Sequence, residues 1–314
     1  MILVTGGMGF IGMHVVKALL DAGESVVPTS HRSWRVPGIW GDVIGTRVFP
    51  ETLDVASTHD AMALAVKHHV TGVVHLAMPP IAGNNPSAEY ITSMYGLINM
   101  LEAARTAGAR RFVFASSNSV YGGLTAGPLR EDMLLPIASN SQINAFKKSS
   151  EVLMLNWADR TGMSVAAVRP PGVFGPLYYS LYNMAGRFCH AAVQGVKASY
   201  PPSGVPYADA NADLAYVTDV AQVFARATLQ QTLPNRIYNA GAGVMFTNGQ
   251  LEAAVKRVVP DAKVATKPGV NPNPGPTDFY LDMTRVKADL GFTPQYDLDR
   301  GVAEYIDWLR TNPL

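Results

Sequence analysis

The sequence has almost no cysteine. Cys189 is the only one in 314 residues, which excludes an internal disulfide framework and a cysteine-rich zinc site. A surplus of charge of one sign is missing too. Lys and Arg total 25 against 24 Asp and Glu, a net charge of +1. That balance predicts no nucleic acid and no membrane surface as partner. No stretch reaches the ~18 consecutive apolar residues that cross a bilayer. The opening MILVTGG lacks the basic start, apolar run and small-residue cleavage site of a secretory signal, so a cytoplasmic, reducing setting is expected.

Apolar residues and glycine are plentiful. Hydrophobic residues make up 48% of the chain, enough for a sizeable core and too many for a disordered chain. Glycine numbers 28 and proline 22, and the glycines need an explanation. The length allows one large domain or two.

The first half alternates short apolar runs with helical patterns. Strands are predicted at Met1–Thr5, Ser25–Thr29, Gly72–Ala77, Arg111–Ser116 and Ser164–Val168. Helices are predicted at Phe10–Ala22, Ala61–His69, Tyr90–Ala107 and Lys147–Thr161. Such alternation, with strands apolar throughout, predicts an α/β fold: a Rossmann-type doubly wound parallel sheet covered on both faces. After Arg169 the alternation weakens, and Pro and Gly cluster at 170–176, 201–206 and 268–276. The expected organisation is a dinucleotide-binding domain over 1–169 plus about 216–241. A smaller substrate lobe is expected over 170–215 and 242–314.

The first strand runs into Thr5-Gly6-Gly7-Met8-Gly9-Phe10-Ile11-Gly12. Glycines here permit a tight turn, let backbone N–H groups approach a pyrophosphate, and allow close packing of helix on strand. The following helix N-terminus adds partial positive charge. Gly6, Gly9, Phe10, Ile11 and Gly12 are therefore expected to hold the cofactor phosphates. The carboxylate that would bind a ribose 2′-OH belongs about 20 residues on. That place reads Thr29-Ser30-His31-Arg32. Ser30 and Arg32 suit a 2′-phosphate, so NADP is favoured over NAD.

With these residues the chain resembles the extended short-chain dehydrogenase/reductase family, of the epimerase/dehydratase type. Further marks are LDV at 53–55, HLA at 75–77, SSNSVYG at 116–122, Lys147 with Glu151, RPPGVFGP at 169–176, YVTDVA at 216–221 and YNAG at 238–241. The run from Asp282 through LGFTP (290–294) to Trp308 also fits. The resemblance implies that Asp54 and Val55 meet the adenine and that Leu76, Ala77 and Met78 line the cofactor. It implies Lys147 on the nicotinamide ribose, with Pro170, Gly172 and Val173 passing near the nicotinamide. Ser117 matches the family's catalytic Ser/Thr. A homodimer through helices matching 90–107 and 147–161 is also implied.

One departure bears on the reaction. The family's acid/base is a tyrosine four residues before the lysine, and here that residue is Ile143. An isoleucine exchanges no proton. Three explanations remain open. Another group takes the proton, either Ser117 or a tyrosine among Tyr178, Tyr179 and Tyr182. The reaction is a lyase, isomerase or reductase step in which Lys147 and a retained nicotinamide cofactor do most of the work. Or the protein binds the cofactor as a non-catalytic sensor.

The second lobe lacks the two arginines with which the family's nucleotide-sugar members hold a diphosphate. Ala212 stands where one belongs, and the stretch 271–276 contains none. The leading expectation is thus an NAD(P)-dependent enzyme on a small non-nucleotide substrate, a carbonyl, alcohol, lactone or aromatic. A nucleotide-sugar epimerase/dehydratase is an alternative. Substrate contacts are expected at Met78, Ser117, Asn118, Ile143, Phe174, Tyr178 and Tyr182. His68-His69, His75 and Cys189-His190 do not have the spacing of a metal site, and no metal is expected.

Overall fold

The computed structural model describes residues 1–32, 37–79, 85–139, 141–272, 275 and 277–312. The first half contains β1 (Ile2–Thr5), α1 (Phe10–Asp21), β2 (Val26–Ser30), β3 (Glu51–Thr52), α2 (Thr58–Lys67), β4 (Gly72–His75), α3 (Pro86–Thr106), β5 (Arg111–Ala115), α4 (Gln142–Thr161) and β6 (Val165–Arg169). The second half contains β7 (Gly172–Phe174), α5 (Met184–Gln194), β8 (Leu214–Tyr216), α6 (Val217–Leu229), β9 (Ile237–Asn239), α7 (Asn248–Val258), α8 (Thr284–Leu290) and α9 (Leu298–Thr311).

Seven strands form one parallel sheet in the order β3-β2-β1-β4-β5-β6-β9. Successive strand residues face opposite sides, and here both sides are covered. Ile2, Val4, Val26, Val74 and Val113 pack with Val15, Leu19, Val220 and Phe224 of α1 and α6. Leu3, Val27, Val73, Phe112 and Phe114 pack with Leu97, Met100, Leu101 and Met154 of α3 and α4. Double coverage is why these strands are apolar throughout.

Helix starts lie earlier than apolar periodicity predicts, because polar caps set them. Ser57 Oγ accepts from Asp60 N, so α2 begins at Thr58. Asn85 caps α3 with Pro86 in the first turn, and Ser141 caps α4. Caps satisfy the N–H groups that a helix start leaves without partners. The short β3 has no signal in the sequence beyond its two-residue pairing with Thr29 and Ser30.

The second half is richer in helix than its Pro and Gly clusters predict. β7 and β8 pair in parallel as a separate sheet. Phe174, Phe188, Leu251, Val255, Val302, Tyr305 and Ile306 form its core. Val286 and Leu290 of α8 instead join the cluster around α1 and α6. Among the described residues, no helix is long and apolar enough to cross a membrane.

Candidate functional site

The glycine turn joins β1 to α1 with no room for side chains. Gly6 has φ +67°, and a Cβ there would lie 2.9 Å from Ala77 N, just past β4. A Cβ on Gly12 would lie 2.2 Å from Gly6 O. The turn therefore presses against the carboxyl ends of β1 and β4, where doubly wound sheets bind ligands. The N-cap Gly9 supplies no side-chain cap, which leaves the first amides of α1, those of Phe10, Ile11 and Gly12, for an outside acceptor such as a phosphate. On this geometry the turn fits a dinucleotide.

The neighbouring strand ends complete that edge. His75 is buried, and its Nδ1 lies 2.7 Å from Thr5 Oγ1. Burial holds its pKa down near 3, with Lys147 adding to the effect, so this imidazole is neutral. Thr5 Oγ1 also accepts from Ala77 N at 3.3 Å. His75 thus ties β4 to β1. Asp54 accepts from Ala56 N at 2.9 Å, turning the chain after β3. Val55 packs on Gly96 of α3. Ser30 ends β2 and Arg32 is exposed.

Beside this edge, α4 carries Lys147 into the interior. Its Nζ donates to Ala115 O at 2.5 Å and lies 4.7 Å from the Phe114 ring centroid. Burial pulls its pKa down to about 7, against the opposing pull of Glu151. Ser117 follows two residues after Ala115. Its Oγ donates to Asn118 Oδ1 at 3.2 Å and accepts from Ser119 N. Asn118 Nδ2 in turn donates to Asp213 Oδ2 at 2.6 Å. Burial raises the Asp213 carboxyl to about 6, with the Asn118 bond opposing. Asn118 N donates to Pro170 O, and Gly172 N to Asp213 O. Pro170, Gly172 and the segment before β8 therefore share one junction with Ser117.

Beneath lies a buried polar network that sequence reasoning did not assemble. Glu151, one turn beyond Lys147, accepts from Arg169 Nε at 2.9 Å, from its Nη2 at 2.6 Å and from Ser116 Oγ. Arg169 Nη1 donates to Tyr121 OH, which donates to Asn239 Oδ1. The signal for it was only the pairing of Glu151 with Lys147 in one register.

The residues expected in the substrate lobe are dispersed. Tyr178 is buried, with its ring 4.8 Å from that of Phe10. Tyr179 packs on Trp308 and His190. Tyr182 is 83% exposed. Phe174 is buried against Tyr216 and Tyr305, and Val173 O accepts from Asn183 Nδ2. Among the described residues, neither Tyr178 nor Tyr179 makes a hydrogen bond with Ser117 or Lys147. Of the stretch 271–276, residues 273, 274 and 276 lie outside the described residues.

A cleft opens where β4 ends. Met78 and Pro79 form one wall, Glu89, Tyr90 and Ser93 of α3 another, and Gln142, Ile143 and Phe146 of α4 the third. Ile143 thus lines a cavity one turn before Lys147. Glu89 was not among the expected site residues.

Comparison with known proteins places this geometry in a class. The sequence model of the NAD dependent epimerase/dehydratase family matches residues 2–241, and the chain belongs to that family. It is 27% identical to a dTDP-glucose 4,6-dehydratase of Streptomyces griseus, covering 98% of this chain and 93% of that protein. It is also 27% identical to a UDP-glucose 4-epimerase of Mycolicibacterium smegmatis, with 98% of each covered. Among solved structures, UDP-glucose 4-epimerase of Thermotoga maritima with UDP-glucose superposes with a TM-score of 0.84 at 23% identity, covering 99% of each chain. The chain is an extended short-chain dehydrogenase/reductase of an NAD-dependent enzyme family.

Proposed function

We propose that this protein is an NAD(P)-dependent epimerase or dehydratase acting on a nucleotide-linked sugar. The observation that carries the reading is full-length similarity to proteins of those activities, 98% of the chain in both cases. The geometry of the glycine turn, Lys147 and Ser117 is consistent with it. Phe10, Ile11 and Gly12 would hold the pyrophosphate, Lys147 the nicotinamide ribose, and Ser117 a substrate hydroxyl. Bound there, the nicotinamide supplies a hydride acceptor and donor. Pro170, Gly172 and Val173 would keep water from it, and Asn118 with Asp213 would orient Ser117.

Calorimetric titration with UDP-glucose, dTDP-glucose and a panel of small ketones and secondary alcohols tests the substrate class. Sub-millimolar binding of a nucleotide sugar is expected. Binding only of the small compounds would refute this reading and restore the smaller substrate, which the apolar Met78, Ile143 and Phe146 favour.

The absence of a carboxylate at Ser30-His31-Arg32 supports NADP over NAD. Arg32→Glu should weaken NADP binding tenfold or more, a loss of ~1.4 kcal/mol, and leave NAD binding unharmed. Equal weakening of both would refute the role. Exposed Ile91 and Tyr95 of α3 and Val152 of α4 support a homodimer, which sedimentation would read as twice the 33.7 kDa chain mass.

A further inference from the structure

We infer that Glu89 is the proton-transferring residue of this site, acting across the cleft from the position that Ile143 occupies. The inference rests on the NAD(P)-dependent function proposed above and adds to it a residue not named there.

The cleft needs an ionisable group for acid/base work, and among the described residues its walls offer few. Met78, Ile143 and Phe146 are apolar, and Ser93 and Gln142 do not titrate near neutrality. Lys147 does not line the cleft, since its Nζ is engaged by Ala115 O beneath the Phe114 ring. That leaves Glu89 and Tyr90. Glu89 is 5% exposed, and among the described residues its carboxylate makes no hydrogen bond or ion pair, whereas Tyr90 is 39% exposed. A carboxylate lining a cavity beside apolar walls is placed to accept a hydrogen bond from a bound hydroxyl. Ser93 lies one turn further along the same face of α3, so a bound hydroxyl would find both side chains together.

The step balances with the family's cofactor. The substrate O–H bond breaks and its proton passes to a Glu89 oxygen. The adjacent C–H bond breaks and its electron pair passes with the hydrogen to oxidised NAD(P). A C=O bond forms, the substrate carbon is oxidised and the nicotinamide is reduced. The reverse step returns both.

The test compares Glu89→Gln, Glu89→Ala, Glu89→Leu and Tyr90→Phe with the wild-type chain. UDP-glucose, dTDP-glucose and the small-alcohol panel serve as probes. Binding is read by calorimetry, and turnover at saturation by product NMR. Glu89→Gln keeps a hydrogen-bond acceptor and should bind within threefold of wild type, while losing ~10²-fold or more in kcat. Glu89→Leu should lose both, at least tenfold in affinity, and added formate should restore turnover to Glu89→Ala. Tyr90→Phe should retain activity. Wild-type kcat in Glu89→Gln overturns the inference, as does loss confined to Tyr90→Phe. Turnover of a small alcohol but no nucleotide sugar refutes only the substrate class, and the Glu89 comparison then stands on that alcohol. A wild-type chain inert to every probe overturns both.

Discussion

Replacing Lys147 with methionine should reveal a pH-dependent cost stored in the site. The ammonium is taken from water into a wall of Phe114 and Phe146, 4.7 and 5.3 Å from its nitrogen. Its pKa falls from 10.5 to about 7, burial outweighing the attraction of Glu151. Between those two values the unfolded chain binds more protons than the folded one. Stability therefore rises with pH across that window and is lowest, in this contribution, below about pH 7. At ~1.4 kcal/mol per pKa unit the full cost is about 5 kcal/mol, and the part relieved between pH ~6.5 and ~9.5 is about 3 kcal/mol. A methionine in this position would leave Ala115 O without its donor, but that cost does not titrate. The informative quantity is the double difference. Urea unfolding of both proteins at the two pH values should show Lys147→Met gaining ~3 kcal/mol over wild type on going from the high to the low pH. Parallel pH dependences, within ~1 kcal/mol, would refute a buried, largely deprotonatable lysine.

Glu151→Gln removes the carboxylate from a guanidinium that is 2% exposed and should cost ~3–5 kcal/mol, read by denaturant titration. Its amide also opposes an Arg169 donor, so loss of less than ~1 kcal/mol would show that the network repairs itself with water. Gly12→Ala forces a Cβ to within 2.2 Å of Gly6 O. The turn must open, and calorimetry should show at least a tenfold loss in dinucleotide affinity with the fold retained by circular dichroism. Asp213→Asn removes a carboxyl whose pKa is raised to about 6 by burial. The folded wild type binds the extra proton between pH ~4 and ~6, so its stability falls as pH rises through that range. The asparagine variant does not titrate and should gain relative to wild type, by up to ~2 kcal/mol at neutral pH given the partial exposure of the site.

The parallel sheet was legible because it is buried on both faces. Val73, Val74, Phe112, Val113 and Phe114 alternate between two helix layers, and that leaves an uninterrupted apolar signal. The glycine turn was legible because a steric demand as severe as that at Gly12 admits one residue type. The second lobe was obscure for a corresponding reason. Its helices α5, α7 and α9 are capped by Asn183, Thr247 and Asp297, between segments whose Pro and Gly content reads as loop.

The missed side of the cleft follows from a misplaced helix start. Apolar periodicity began α3 at Tyr90 and so left Glu89 in a connecting loop. Asn85 followed by Pro86 is the local chemistry of a helix start, since Asn caps the first amides and Pro needs no acceptor in the first turn. With that start, Glu89 and Ser93 fall on one face, and with the Ser141 cap, Ile143 and Lys147 fall on one face of α4. Glu89 and Ser93 line one cleft with Ile143 and Met78, while Lys147 reaches past it to Ala115 O. Ile143, which exchanges no proton, and the Glu89 carboxylate then line the same cavity. A site that presents Ile143 from one helix can draw an acid/base group from the helix across the cleft, because proton transfer depends on where the acceptor atom sits and not on which element supplies it.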